Sequence, residues 1–425
     1  MNRKTAKFTI NNYEQFKQQM LNWSNQFNIC CLLDNHHYTS RYHSIEYILA
    51  VGAVTIFDAT TDTILQLKAF QENKHDWIFG HVSYDFKNQL DPLHSNHPDH
   101  IGFPEIFFFQ PETVIQLFEK EVEISTVSCN PDEIFSAILQ QLSIIYVPTS
   151  VTIQPKIAKE EYLSIIRAIK KHILYGDCYE INFCQEYFSA TASIDAVNVY
   201  QQLTQLSPAP FACYYKLHDK YLMCASPERY LKKTGSHIIA QPIKGTIKRD
   251  RTNKTNDELL KLQLKESKKE ISENVMIVDL MRNDLSKICI EGSVYVEELF
   301  GIYSFPQVFQ MISTITGELK EETTFADILN ATFPMGSMTG APKRKVMELI
   351  EKYEQTKRGL YAGCVGYISP NNDFDFNVVI RSILYNSSNQ YLSYQVGSGI
   401  TFNSNAEKEY EECLLKAEAI RKVFI

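Results

Sequence analysis

The sequence lacks the cysteine pairs that bind zinc, and it lacks an excess of positive charge. Ten cysteines are scattered over 425 residues with no Cys-x-x-Cys pair, so we interpret them as reduced core residues. Lysine and arginine number 42 against 50 for aspartate and glutamate, which gives a formal net charge of -8. That balance argues against a nucleic-acid partner.

Long apolar runs are also missing. A helix that spans a membrane needs roughly 20 apolar residues. The longest apolar run near the N-terminus, Tyr47 to Phe57, is interrupted by Gly52 and Thr55. A polar segment follows the basic residues of the first ten positions, where a signal peptide would carry its apolar region. We therefore expect a cytoplasmic protein without a membrane segment.

Hydrophobic residues are plentiful, at 44% of the chain, which is enough for one large domain or two ordinary ones. Short β-rich segments fill much of the first 145 residues, and a polar, proline-containing stretch follows over 144–159. An amphipathic helix and many strand-like runs with short connections come next. The pattern predicts an α/β or α+β fold around antiparallel sheets, with a β-rich N-terminal region (1–145) and a second domain (146–425).

Two pairs of glutamates have the i, i+3 spacing that puts both carboxylates on one face of a helix. Glu270 and Glu273 lie in KEISENVMIVDLMRNDL, and Glu409 and Glu412 lie in EKEYEECLLKAEAIRKVF, with Lys416 one turn further along the same face. The two acidic faces are able to meet around Mg²⁺, which takes carboxylate oxygens. From spacing alone, a solvent-exposed helix face is the more common explanation.

Two glycine-containing runs offer backbone amides to an anion. FPMGSMTGAPK, residues 333–343, contains Ser337 and Thr339 and precedes a predicted helix. Glycines let a ligand approach the backbone, and the amides at a helix start favour carboxylate or phosphate. Gly397 and Gly399 form a second such cluster after a predicted strand. The first run is equally typical of an ordinary loop.

Two cationic residues stand in apolar surroundings. Lys244 lies in QPIKGT, and a lysine becomes a nucleophile when burial lowers its pKa; alone, it would be taken for a lysine in a surface turn. Arg381 interrupts the apolar strand FNVVIRSILY, and its guanidinium suits a carboxylate. The alternative for Arg381 is an internal salt bridge with Asp373 or Asp375.

Taken together, these motifs resemble the chorismate-utilising enzymes, which include component I of anthranilate synthase and of aminodeoxychorismate synthase. The resemblance covers about Glu160 to Ala417, and its landmarks are GDCYEINF, SPAPF, SPERYL, QPIKGT, KEISENVMIVDLMRNDL, FPMGSMTGAPK, RGLYAGCVGYIS, DFNVVIRS, GSGI and EYEECLLKA. It implies two large antiparallel sheets packed together with helices outside. The two parts of the chain then interleave, residues 146–425 bind chorismate, and the active site lies in the central cleft.

The resemblance also implies the roles of individual residues. Glu273 and Glu412 match Mg²⁺ ligands, with Glu270 and Glu409 as partners that bind the ion directly or through water. Chorismate is then expected to contact a set of residues from several motifs: Tyr361, Arg381, Gly397, Gly399, Lys416, Ser337 and Thr339.

Lys244 distinguishes the branches of the family, because anthranilate synthases carry alanine there and the aminodeoxychorismate branch reads P-I-K-G-T. The resemblance implies that its amine attacks C2 of chorismate and expels the C4 hydroxyl. Ammonia then enters at C4 and gives 4-amino-4-deoxychorismate, the precursor of 4-aminobenzoate and folate. The alternatives are anthranilate synthase chemistry and a non-catalytic chorismate-binding protein. The sequence contains no glutaminase motif, so we expect a separate glutamine amidotransferase subunit to supply the ammonia.

Two residues depart from the family pattern. Gln310 stands where the family usually has histidine, and we expect it only to form hydrogen bonds. Glu180 stands where relatives commonly carry glutamine, or lysine in isochorismate-forming members. Without that lysine, addition of water to chorismate is disfavoured as the main reaction.

Overall fold

The computed structural model describes residues 3–72, 75–142, 149–305 and 307–424. The boundary predicted between residues 145 and 146 lies outside these ranges and stays a prediction. The α-helices of the described ranges are α1 (Tyr13–Ser24), α2 (Thr63–Glu72), α3 (Lys87–Leu90), α4 (Pro131–Leu139), α5 (Lys159–Leu174), α6 (Ala196–Leu206), α7 (Lys254–Lys265), α8 (Lys268–Ser286), α9 (Phe325–Thr332), α10 (Lys343–Tyr353), α11 (Ala406–Lys416) and α12 (Glu418–Val423).

The strands are β1 (Lys4–Thr9), β2 (Ile29–Asp34), β3 (Tyr47–Val51), β4 (Thr55–Phe57), β5 (Ile78–Val82), β6 (Ile106–Gln110), β7 (Thr113–Leu117), β8 (Glu121–Thr126), β9 (Gln154–Pro155), β10 (Glu180–Ser189), β11 (Phe211–Leu217), β12 (Lys220–Ser226), β13 (Arg229–Thr234), β14 (His237–Gln241), β15 (Ile243–Lys248), β16 (Tyr295–Ser304), β17 (Val308–Glu318), β18 (Gly340–Ala341), β19 (Cys364–Ile368), β20 (Phe374–Asn377), β21 (Ser382–Asn386) and β22 (Tyr391–Ile400).

Two antiparallel sheets form the frame of the described part of the chain. The first has 12 strands in the order β1-β8-β7-β3-β2-β11-β12-β21-β22-β10-β18, with β9 beside β10. The second has 10 strands in the order β15-β17-β14-β13-β20-β19-β5-β6-β4, with β16 beside β17. The predicted α/β architecture with two large antiparallel sheets is therefore confirmed.

Each sheet contains strands from both ends of the chain. In the first sheet, β2 pairs with β11, so that Cys31 lies opposite Tyr215. In the second, β5 pairs with β19, so that Gly80 lies opposite Gly366. Segments far apart in sequence are thus hydrogen-bonded neighbours within one frame.

Alternation along the strands divides the apolar residues between two cores. On β3, Ile48 joins a cluster that contains residues of both sheets, among them Phe79 and Phe376. The next residue, Leu49, points the other way into a cluster with Ile166 and other helical residues. Successive side chains of a strand point to opposite faces, which is why one strand serves both cores. The first sheet is therefore packed on both faces.

The ten cysteines are free, and all are buried except the half-buried Cys129, which agrees with their interpretation as core thiols. No helix in the described ranges has the length and the apolar character needed to cross a bilayer. The cytoplasmic location stays a prediction.

Candidate active site

A cavity of about 400 Å³ lies between the two acidic helices and the ends of strands from both sheets. Its volume is in the range of small-molecule sites. All of the predicted site residues except Thr339 and Glu409 line it: Lys244, Glu270, Glu273, Ser337, Tyr361, Arg381, Gly397, Gly399, Glu412 and Lys416. Residues that are as far as 172 positions apart, from Lys244 to Lys416, thus meet around one space.

The first acidic pair lies in the opening turns of α8. The side chain of Ser267 caps this helix and accepts a hydrogen bond from the backbone N–H of Glu270 at 3.4 Å. The helix packs through Ile277 and Leu285, which follow Glu273 at helical spacing and are fully buried. Glu273 is itself buried, so the solvent-exposed alternative is wrong for this residue.

The second pair lies on α11, which begins after Asn405. The Asn405 side chain caps the helix by accepting from the backbone N–H of Lys408 at 3.1 Å. Glu409 is buried. Glu412 forms an ion pair with Lys416, one turn further along the helix, with 2.8 Å between the carboxylate oxygen and Nζ. The solvent-exposed alternative is wrong for Glu409 as well.

A lysine that the sequence reasoning missed lies among these carboxylates. The Nζ of Lys269 is 3.1 Å from an oxygen of Glu409, 3.8 Å from Glu412 and 3.9 Å from Glu273. Burial alone would lower the pKa of Lys269, but the surrounding carboxylates outweigh it and raise that pKa well above its ordinary value. Its place in the sequence, next to Glu270, was the available signal. Lys269 therefore neutralises part of the acidic cluster.

The acidic cluster has the donor chemistry that Mg²⁺ requires, because all of its side-chain donors are carboxylate oxygens. Glu273 Oε1 and Glu409 Oε2 are buried without a hydrogen-bond partner among the described residues. Burial raises the pKa of Glu273 to about 8. Within the described ranges, no three His, Cys, Asp or Glu side chains are close enough to form a ready metal site. Magnesium therefore stays a prediction.

Lys244 projects from β15 into the cavity and is 9% exposed, so the surface-turn alternative is wrong. Its Nζ donates to Glu180 Oε1 at 2.6 Å. Burial would lower the pKa of Lys244, but Glu180 and Glu273 outweigh it and raise that pKa. The expectation of a lowered pKa is therefore wrong, because the carboxylates that face this amine come from segments far away in the sequence. The next residue, Gly245, has a φ of 92° and comes close to Glu270, which favours glycine.

Arg381 carries a guanidinium without an ion pair among the described residues. The alternative of a salt bridge with Asp373 or Asp375 is wrong, because Asp375 binds Arg229 at 2.8 Å and Asp373 lies 3.8 Å from Lys233. Burial lowers the pKa of Arg381. The guanidinium lines the cavity and is thus available to an anionic ligand.

The remaining predicted residues occupy the walls. The hydroxyl of Tyr361 is 3.8 Å from Cys184 Sγ, and Lys416 Nζ donates to the carbonyl of Gly397 at 2.9 Å. Thr339 does not line the cavity, and its hydroxyl donates to the carbonyl of Met335 at 3.1 Å. That hydrogen bond stabilises the loop in which Thr339 lies, so the predicted contact of Thr339 with chorismate is not supported.

Gln310 and Glu228 complete the polar lining. Gln310, on β17, is buried, and its Oε1 has no hydrogen-bond partner among the described residues. Glu228 is 3% exposed, and burial raises its pKa to about 7 against the opposing effects of Ser337 and Lys244. Sequence reasoning missed Glu228, although it stands in the landmark SPERYL. The cavity therefore holds a carboxyl group whose pKa is raised by burial above that of an ordinary glutamate.

Comparison with known proteins gives the context of this cavity. The chorismate binding enzyme family matches residues 30–422. The chain is 32% identical over 359 residues to aminodeoxychorismate synthase component 1 of Bacillus subtilis, and the aligned region covers 81% of this chain and 76% of that protein. It is 40% identical over 268 residues to the chloroplastic aminodeoxychorismate synthase of Arabidopsis thaliana, which covers 62% of this chain.

The chain spans only 29% of the length of that Arabidopsis relative and 30% of a similar Oryza sativa protein. Among solved structures, anthranilate synthase component I of Streptococcus pneumoniae superposes with a TM-score of 0.77 at 24% identity, over 90% of this chain and 95% of that one. That likeness concerns the fold. Because the family match takes in nearly the whole chain, this chain belongs to the chorismate binding enzyme family.

Proposed function

We propose that this chain is component I of an aminodeoxychorismate synthase, which aminates chorismate at C4 with ammonia to give 4-amino-4-deoxychorismate. The observation that carries the proposal is the position of Lys244, which lines the same cavity as Arg381 and three of the four glutamates, Glu270, Glu273 and Glu412. The names of the Bacillus and Arabidopsis relatives support it. Anthranilate synthase chemistry does not need a lysine nucleophile at that position.

The charges of the cavity suit a substrate with two carboxylates. The guanidinium of Arg381, which has no ion pair among the described residues, would bind the enolpyruvyl carboxylate, and Gly399 lines the same cavity. Glu270, Glu273, Glu409 and Glu412 would hold Mg²⁺. When bound, the ion would supply positive charge to the ring carboxylate and polarise the region of the departing hydroxyl.

Lys244 supplies the nucleophile in the proposed reaction. Its neutral amine forms a bond to C2 of the ring, the ring double bond shifts, and the C4–O bond breaks. Glu228 gives its proton to the departing hydroxyl, which leaves as water. Ammonia then bonds to C4 and the C2–N bond to Lys244 breaks, which restores the lysine. The new C4 nitrogen carries one proton more than an amine, and that proton returns to Glu228, which restores the acid.

The protonated state of Glu228 predicts a pH dependence. The acid must carry its proton, and its pKa is about 7, so activity is present below that pH and falls as the pH rises through it. We expect kcat to fall about tenfold per pH unit well above 7. Glu228→Gln should lower kcat by about 100-fold and remove this alkaline fall. An unchanged pH profile of kcat in Glu228→Gln would contradict the role of Glu228.

Arg381 is expected to bind substrate rather than to take part in the chemistry. Arg381→Ala should raise the KM for chorismate about 100-fold and change kcat much less, because a charge-assisted pair in a buried site is lost. Arg381→Lys should recover only part of the affinity, since a lysine lacks the two-pronged geometry. Steady-state kinetics measure both, with the exposed Arg344→Ala on α10 as the control. A normal KM in Arg381→Ala would contradict the assignment.

Product analysis tests the proposed function directly. Purified protein is mixed with chorismate, Mg²⁺ and ammonium, and a second tube receives glutamine instead. We expect 4-amino-4-deoxychorismate with ammonium and none with glutamine, because we propose that a separate glutamine amidotransferase subunit supplies the ammonia. Formation of anthranilate would favour the anthranilate synthase alternative. Chorismate left intact in every tube would favour a non-catalytic binding protein.

A further inference from the structure

Glu180 is a buried carboxylate in contact with Lys244, behind the residues that line the cavity, and the proposed mechanism has not used it. It is the first residue of β10 and is 0% exposed. Its Oε1 accepts the hydrogen bond from Lys244 Nζ at 2.6 Å, and its Oε2 is buried without a partner among the described residues. A Cβ atom on Gly399 would come within 2.7 Å of Oε1, so the glycine makes room for this carboxylate.

We propose that Glu180 is a catalytic residue that takes the proton from Lys244 Nζ before the lysine attacks chorismate. This inference rests on the proposed function and assigns a further residue to the same site. An ammonium has no lone pair and cannot attack, so the lysine must first lose a proton. Among the described residues, Glu180 alone has a carboxylate oxygen within 4.0 Å of that Nζ, and the separation suits direct proton transfer.

Other charged groups face Lys244, but none is as well placed. Glu228 approaches from the segment before β13 and Glu273 from α8, and both raise the pKa of the lysine less than Glu180 does. Glu412 and Lys416 lie on α11. The cations Lys416 and Arg381 carry no acceptor for a proton. The carboxylate of Glu180 is therefore the base in contact with the amine.

The proton that Lys244 gives to Glu180 returns to Lys244 by the end of the cycle. Glu180 accepts one proton from the Lys244 ammonium, and the freed electron pair forms the N–C2 bond while the C4–O bond breaks. When ammonia has bonded to C4, the C2–N bond breaks and its electron pair returns to the lysine nitrogen. Glu180 gives the proton back to that amine, and the ion pair is restored. No oxidant or further reactant is needed.

The identity of the residue matters, because glutamine would occupy the same space with different chemistry. A glutamine oxygen accepts a hydrogen bond from Lys244 but cannot take its proton. The resemblance places glutamine at this position in related enzymes. The carboxylate thus keeps the base inside the buried site, so that proton removal does not depend on solvent.

Glu180→Gln is the test, measured as the pH dependence of kcat at saturating chorismate, Mg²⁺ and ammonium. We expect kcat at pH 7 to fall about 100-fold with the KM for chorismate unchanged. Below pH 7, kcat of the variant should increase about tenfold for each unit of increasing pH, because solvent must now remove the proton from Lys244. The kcat of the wild type should not change with pH in that range. Glu186→Gln, six positions along the same strand, is a matched buried control and should behave as wild type.

A second variant keeps the result decisive if Glu180→Gln fails to fold. Glu180→Asp retains a carboxylate at shorter reach, so it should keep the wild-type pH profile at a lower kcat. Wild-type kcat and pH profile in Glu180→Gln would overturn the inference, and so would a pH profile of Glu180→Asp with the rise expected for Glu180→Gln. If wild type itself makes no 4-amino-4-deoxychorismate, the proposed function fails instead, which separates the two failures.

Discussion

Replacing Lys244 with alanine is expected to remove ammonium-dependent formation of 4-amino-4-deoxychorismate, with a loss of at least about 1,000-fold in kcat. The variant loses the only amine proposed to attack C2, and no other group in the proposed mechanism forms that bond. Binding should persist, since Arg381 and the acidic helices stay in place. Chorismate binding by equilibrium dialysis and product formation by chromatography measure the two effects separately.

A Lys244→Arg variant separates loss of the nucleophile from loss of the positive charge. The arginine keeps the positive charge beside Glu180 but stays protonated, so it is expected to be as inactive as alanine. If Lys244 contributed only its positive charge, arginine at this position would restore the activity. Lys233→Ala, in an ion pair at the edge of β13, serves as the control and should retain full activity. Amino product from Lys244→Ala at the wild-type rate would reject the lysine nucleophile.

Replacing Glu273 or Glu412 with glutamine is expected to lower kcat/KM by about 1,000-fold, and chelation of Mg²⁺ should inactivate the wild type to a similar extent. Each substitution removes one charged oxygen donor from the proposed metal site. The loss should be large because Glu273 is buried and its Oε1 has no hydrogen-bond partner among the described residues. Excess Mg²⁺ should restore part of the activity of each variant.

Binding of Mg²⁺ alone, followed by titration calorimetry, distinguishes loss of the metal from general damage. Both variants should bind Mg²⁺ at least about tenfold more weakly than wild type. Glu407→Gln is the matched control, because Glu407 is an exposed residue in the first turn of α11 and contacts Arg167. Wild-type activity in the presence of chelator would reject the magnesium site.

Local patterns were sufficient for the features that depend on short stretches of chain. The i, i+3 spacing placed Glu270 with Glu273, and Glu409 with Glu412, because a helix repeats every 3.6 residues. The order of motifs likewise led to the family, and the resemblance implied two antiparallel sheets and a set of site residues, most of which line the cavity. These features follow from helix and strand periodicity or from motifs a few residues long.

Contacts between distant segments could not be obtained in this way. Glu180 and Lys244 are 64 positions apart, and Lys269 reaches Glu409 across 140. No local rule pairs them, because Glu180 lies on a strand of the first sheet and Lys244 on a strand of the second, and the other ion pair joins α8 to α11.

The state of each charged group followed from those contacts. The direction of the pKa shift of Lys244 was mispredicted because its sign depends on carboxylates that reach it only in the fold. Arg381 has no ion pair among the described residues, and the nearby candidate Asp375 is bound to Arg229 instead. Residue identity and spacing supplied the chemical groups of the site, whereas long-range packing set their partners and protonation, since electrostatic interaction depends on distance in space.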